Sequence, residues 1–173
     1  MPTSDPEGKE WAADVIRRIA PATVVDIGPG EGTYARLARD HTPGARWIAV
    51  EAWGPYVTGY GLWELYDHVV LGDVRHVDLM SLDYAPTLAI CGDMLEHLPA
   101  EEVPVLVQRL QAWADHLLVS VPIVHHPQGA VGGNWMEIHR SEWTAESMRN
   151  LLQPGVVEER VGDVLAYFHW MRG

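Results

Sequence analysis

Apolar residues recur with two different periods along the chain. Trp11, Ala12, Val15, Ile16 and Ile19 share one face of a helical repeat, which predicts an amphipathic first helix ended by Pro21. Ahead of it, Ser4-Asp5-Pro6-Glu7 has the spacing of a capping box with proline near the helix start. Short apolar runs at 24–27, 46–51, 68–72, 87–91 and 116–122 read as strands, and a final pair at 156–161 and 164–170, joined through Gly162-Asp163, reads as an antiparallel hairpin. Helical patterns fill the gaps. One runs from Thr33 to about His41, and an aromatic-rich one from 55 to 66 is weakened by Gly59 and Gly61. Another follows Pro99, with Val103, Leu106, Val107, Leu110 and Trp113 on its apolar face and Pro104 in its first turn. The last is capped by Thr144, with Trp143 and Met148 spaced as a hydrophobic staple and Leu151 and Leu152 turned inward. Residues 75–86 read as loop. Strands alternating with helices predict an α/β chain with a mostly parallel sheet.

Size and charge narrow this picture. At 173 residues the chain is expected to form a single domain, 1–173, with a central sheet covered on both sides. Cys91 is the only cysteine, so no internal disulfide or cysteine-rich zinc cage can form. The net charge of −12, with Lys9 the only lysine, disfavours duplex nucleic acid as a partner and leaves a small-molecule partner as the expectation. No apolar run reaches the length of a membrane span, and no basic-then-apolar signal pattern opens the sequence, so a cytoplasmic chain without membrane contact is expected.

The chemistry gathers around Asp26-Ile27-Gly28-Pro29-Gly30-Glu31-Gly32, where a buried strand passes through a glycine turn into a helix. Three alternating glycines demand a tight turn that a ligand can approach closely. A dinucleotide fingerprint would place its third glycine at position 33, where this chain has Thr33. Glu51 ends the second strand nineteen residues past Gly32, where a carboxylate can accept hydrogen bonds from both hydroxyls of a ribose. The glycines at 28, 30 and 32 resemble the first motif of class I S-adenosylmethionine-dependent methyltransferases, and Gly92-Asp93-Met94-Leu95-Glu96-His97-Leu98-Pro99 resembles the fourth motif of the small-molecule members. The resemblance covers nearly the whole chain. It implies a three-layer, doubly wound, mostly parallel seven-stranded sheet with an antiparallel C-terminal hairpin. It also implies a cofactor site of Asp26, Gly28, Gly30, Gly32, Glu51, Asp73, Val74 and Asp93, with Asp73 receiving the adenine amino group and Asp93 near the methionine part. In that family the N-terminal helix, here within 1–21, often covers the cleft.

Methyl transfer from a sulfonium needs a positioned acceptor and, for a hydroxyl or amine, a base. His97, His125, His126 and His139 come from segments expected at the carboxyl end of the sheet, and His97, His139 and His125 are the candidate catalytic residues. The segment 123–140, with its histidines and Trp135, reads as a substrate-facing loop. With no inserted domain over the cleft, that loop or a second subunit of a homodimer is expected to exclude water. Asp93, Glu96 and His97 fall at i, i+3 and i+4, which a helical turn would bring to one face. With His139 before Glu142-Trp143-Thr144, they resemble the metal site of the small-RNA 2'-O-methyltransferases. Three functions follow: a methyltransferase acting on an O or N atom of a small molecule, a metal-dependent methyltransferase of a vicinal-diol or RNA 3'-end substrate, and a non-catalytic cofactor-binding partner.

Overall fold

A computed structural model describes residues 5–81 and 87–173. Its sheet has seven strands: β1 (Thr23–Ile27), β2 (Arg46–Glu51), β3 (His68–Leu71), β4 (Leu88–Gly92), β5 (His116–Pro122), β6 (Val156–Val161) and β7 (Leu165–Met171). Their order across the sheet is β3-β2-β1-β4-β5-β7-β6, with β1 to β5 parallel and the last two strands antiparallel, as the resemblance implies. Chain order reverses between β1 and β4. That is the crevice where open α/β sheets bind ligands, and it brings Gly28 and Gly92 side by side at the strand ends.

Two apolar layers fix this arrangement. On one face, β1, β2, β4, β5 and β7 pack against α5 (Val103–Trp113) and α6 (Ala145–Leu152) through Leu106, Leu110, Met148 and Phe168. On the other, α1 (Lys9–Ile19) and α2 (Thr33–Ala38) bury Ile16, Tyr34 and Ala38 against Val24, Trp47 and Ile90. The inner strands are apolar on both faces because both faces are covered. The staple and cap at α6 form as the spacing predicts. Thr144 and Ser147 exchange side-chain and backbone bonds, worth about 1 kcal/mol for such a cap, and Trp143 packs in the cluster that holds Met148.

Three local expectations change. The cap expected at Ser4 lies outside the described residues, as do 82–86 of the expected loop. Gly8 stands at the start of α1 instead, at φ 75°, where the Tyr167 ring fills the place of a Cβ. Glu7 does not fold back onto α1. Its carboxylate accepts the backbone N–H groups of Asp163, Val164 and Leu165 at 2.8, 2.8 and 2.7 Å and ties the helix entry to the β6–β7 turn. The aromatic segment after β2 breaks into α3 (Gly54–Gly59) and α4 (Leu62–Leu65) at Gly61, whose left-handed φ of 66° interrupts the helix. No helix among the described residues is long and apolar enough to cross a membrane.

Candidate active site

A cavity of about 300 Å³ opens at the carboxyl ends of β1, β2, β3 and β4. The glycine turn forms its floor. Gly28, Gly30 and Gly32 all have positive φ, from 55° to 79°, so each is where only glycine is comfortable. Their surroundings differ. A methyl on Gly30 would meet nothing within 4 Å, and the residue lines the cavity, so the turn is open on the ligand side. A methyl on Gly32 would overlap Leu65, so that glycine serves the packing of α4 against the turn.

Glu51, at the end of β2, lines the cavity beside the turn, and its Oε1 accepts the Trp53 N–H at 2.7 Å. Burial pushes its carboxyl up to about 7, against the backbone donors of Trp53 and Gly30. Asp73 and Val74 follow β3 on the same wall. Arg75 turns back on Asp73, with Nε at 3.0 Å from both oxygens and Nη1 on Glu102 at 2.7 Å. Burial opposes ionisation of Asp73, but those bonds hold its carboxyl below the usual range, so it remains an acceptor for an amino group. This donor and acceptor set fits an adenosyl ligand: a glycine turn open to close approach, a carboxylate for a ribose, and a second carboxylate with an apolar neighbour for a base.

Asp26 departs from expectation. It is 1 % exposed and contributes nothing to the cavity wall; Tyr66 donates to its Oδ2 at 2.6 Å inside the core. Burial raises its carboxyl to about 6, with Tyr66 and the charge of Lys9 opposing. The acid at this strand end is thus paired within the core and stays out of the cavity.

Asp93 follows Gly92 and β4. A methyl on Gly92 would overlap the Tyr34 ring, which lies across the strand end. Asp93 takes a φ of 51°, unusual for a residue with a side chain, and a closed ring of hydrogen bonds holds it there. Lys9 donates to Asp93 Oδ2 at 2.8 Å and to Tyr34 Oη at 3.1 Å. Ser120 donates to Asp93 Oδ1 at 2.5 Å, which leaves the Tyr34 hydroxyl to donate to Ser120 Oγ at 3.1 Å. Asp93 therefore does not share a helical face with Glu96 and His97, which occupy a separate short turn.

That turn faces the loop 123–140. Arg140 and Ser141 donate their backbone N–H groups to the Glu96 carbonyl at 2.8 and 3.1 Å, and a short turn at Trp135–Glu137 closes over the cavity. Glu96 is 2 % exposed, and its Oε2 and His97 Nδ1 are buried without a partner among the described residues. Burial raises the Glu96 carboxyl well above its ordinary value and lowers His97. His139 stands beside His97, ring centroids 4.9 Å apart. Its Nδ1–H must donate to the His126 carbonyl at 2.6 Å, which leaves the Nε2 lone pair available. Burial and the neighbouring His97 lower its pKa. Glu96, His97 and His139 can each offer one ligand atom, all within 4.8 Å of one another.

His125 lies apart. Its side chain is 73 % exposed and pairs with Glu142 at 2.6 Å, because β5 ends at Pro122 and the chain leaves the cavity before turning back at His126. The sequence pattern missed Lys9, Tyr34 and Ser120, all at the site. Two carried a visible signal: Lys9 is the only lysine, and Ser120 is the one polar residue inside the apolar run Leu117–Val121.

No family model matches the chain, and none of the curated proteins does. Solved structures do. The N-terminal domain of EvdMO1, determined in the presence of S-adenosylhomocysteine (SAH) and D-fucose, superposes with a TM-score of 0.70 at 15% identity, over 98% of this chain and 85% of that one. A Burkholderia thailandensis 1,6-didemethyltoxoflavin-N1-methyltransferase, bound to its namesake and SAH, gives 0.69 at 20% identity, over 97% of this chain and 79% of that one. An O-methyltransferase family protein from Burkholderia thailandensis gives 0.68 at 13% identity; 95% of this chain is covered, spanning 56% of that chain. Identities this low speak to architecture, and by its architecture the chain has the fold of the class I S-adenosylmethionine-dependent methyltransferases.

Proposed function

We propose that the chain is an S-adenosylmethionine-dependent methyltransferase that acts on an O or N atom of a small molecule. One observation carries this reading: an open glycine turn, the Glu51 and Asp73 carboxylates and Asp93 line one cavity at the sheet's crossover point, at successive strand ends. Glu51 would hold the ribose and Asp73 with Val74 the adenine. The bound cofactor supplies a methyl group already activated by its sulfonium. The chain's own residues then orient the acceptor and remove its proton. His139 suits that step, since its bond to the His126 carbonyl fixes the tautomer and its lowered pKa keeps it neutral at pH 7. His97 is deeper and is read as its support. The 123–140 loop covers the acceptor end, and neighbours on this fold were determined with such different molecules that the acceptor is read only as a small one.

The test is binding, then turnover. Wild-type protein should bind SAH saturably, and Glu51→Ala should weaken that binding about tenfold while the variant stays folded. Unchanged affinity in a folded Glu51→Ala would remove the ribose assignment. Tight binding without transfer to any acceptor in a broad screen would favour the non-catalytic partner instead.

A second reading rests on the Glu96, His97 and His139 cluster, in which Glu96 Oε2 and His97 Nδ1 are buried without partners among the described residues. Imidazole and carboxylate donors suit a divalent ion, and a backbone carbonyl on the far nitrogen of His139 is the usual support for a metal-ligating histidine. Asp93 is not part of that set, being held by Lys9. Such an ion would orient adjacent acceptor hydroxyls. Metal analysis of the purified protein and titration with Mn or Zn decide it: a saturable site lost in His139→Ala supports the ion, and no site leaves His139 as the base.

A further inference from the structure

The segment that closes over the cavity has a second face. A hollow of about 400 Å³ lies against it, and His126, Gln128, His139 and Arg140 line both this hollow and the central cavity. His139, the proposed base, therefore stands between the two. An acceptor whose reacting atom lies at His139 has the outer hollow for the remainder of its structure.

The charge on that wall is one-sided. Arg140 is exposed there and makes no hydrogen bond or ion pair among the described residues. Elsewhere in this acidic chain arginines pair with acids, as Arg18, Arg39, Arg75 and Arg149 do. Glu142 is the one acid lining the hollow, and it is taken by His125 at 2.6 Å instead of by Arg140. The backbone beneath the guanidinium is fixed: the N–H groups of His139, Arg140 and Ser141 donate to the carbonyls of Gln128, Glu96 and Glu96 at 3.1, 2.8 and 3.1 Å. His126, whose ring centroid lies 5.8 Å from that of His139, adds an imidazole to the same wall. A planar fork of N–H donors, anchored and unused, suits a carboxylate or a phosphate.

We propose that the outer hollow binds an acidic group of the methyl acceptor, a carboxylate or a phosphate, through the Arg140 guanidinium with His126 beside it. This rests on the methyltransferase reading above, with His139 at the acceptor. Arg140 is then a specificity-determining residue: it holds the acceptor by its charge at one end while the reacting atom is presented to His139 at the other. In a chain of net charge −12, a fixed local cation is what lets an anion settle at this mouth.

Calorimetry at constant salt tests this with probes of similar size, phenyl phosphate, benzoate and benzyl alcohol, titrated into the chain with and without saturating SAH. Wild type should bind one of the two anions about tenfold more tightly than the alcohol, as expected for charge-assisted hydrogen bonds, and the tighter anion names the acidic group. Arg140→Gln should abolish that preference with SAH affinity unchanged, and Arg140→Lys, which keeps the charge but not the fork, should restore only part of it. Arg160→Gln removes an equal charge from an exposed position on β6 and should leave the preference intact. A wild type with no preference for either anion, a folded Arg140→Gln that keeps it, or an Arg160→Gln that loses as much overturns the proposal. Absence of SAH binding overturns the cofactor reading alone, because the anion preference is also read in the ligand-free chain.

Discussion

Burial holds the Glu51 carboxyl up at about 7, whereas a ribose hydroxyl pair is held best by its ionised form. Affinity for SAH should therefore climb as pH rises through about 7 and level off above it, with proton release on binding below that value. Glu51→Gln, which cannot ionise, should bind more weakly and with a flat profile over the same range; a wild-type profile already flat there would contradict the assignment. His139 responds with the same sign for a different reason. Its pKa is lowered by burial and by His97, so the free base persists through neutrality and activity should fall only on the acid side of the ordinary histidine range. Replacing His139 with alanine should lower kcat by about 10²- to 10⁴-fold with little change in SAH affinity, measured by parallel turnover and calorimetry. Undiminished turnover would remove it from the mechanism. Gly92 is a packing constraint. Gly92→Ala pushes a methyl into the Tyr34 ring and should cost about 1–3 kcal/mol, read as a lower unfolding midpoint.

At the scale of elements, what was legible followed from periodicity and turn chemistry. β2 and β5 appear at the expected bounds, and α5 buries Val103, Leu106, Val107, Leu110 and Trp113 as its apolar face predicts. Local signals failed where a distant element set the outcome. Glu7 has capping-box spacing, but a turn more than 150 residues away offers it three aligned donors, and that offer prevails. Asp26 looks like a ligand because it ends a strand beside glycines, yet Tyr66 from beyond α4 claims it. Asp93, Glu96 and His97 have helical spacing, but Lys9 and Ser120 draw Asp93 to a left-handed backbone and split the set. His125 and His126 are adjacent in sequence, and only the fold decides which one faces the cavity. The Glu7 clasp is itself testable. Glu7→Ala should lower the unfolding midpoint and raise hydrogen exchange at Asp163, Val164 and Leu165 together; unchanged protection there would show that the turn holds without it.

Across the whole molecule, acids outnumber Lys and Arg by 24 to 12, and three buried carboxyls are raised in the folded state, Asp26 to about 6, Glu51 to about 7 and Glu96 well above its ordinary value. A carboxyl raised on folding binds a proton more tightly in the native chain than in the unfolded one. Its contribution is complete below the ordinary carboxyl range and is lost as pH rises through the folded value. The ligand-free unfolding midpoint should therefore decline as pH rises through about 7, where His97 and His139, lowered on folding, no longer oppose it, and decline less with SAH present, since binding favours ionised Glu51. The architecture is that of the methyltransferases, and the cavity at its crossover point carries the open glycine turn with the Glu51, Asp73 and Asp93 carboxylates. The most direct measurement is calorimetric titration of the wild-type chain with SAH beside NAD. Saturable binding of SAH and none of NAD is the predicted result; NAD binding in its place, or no binding of SAH, would contradict the account.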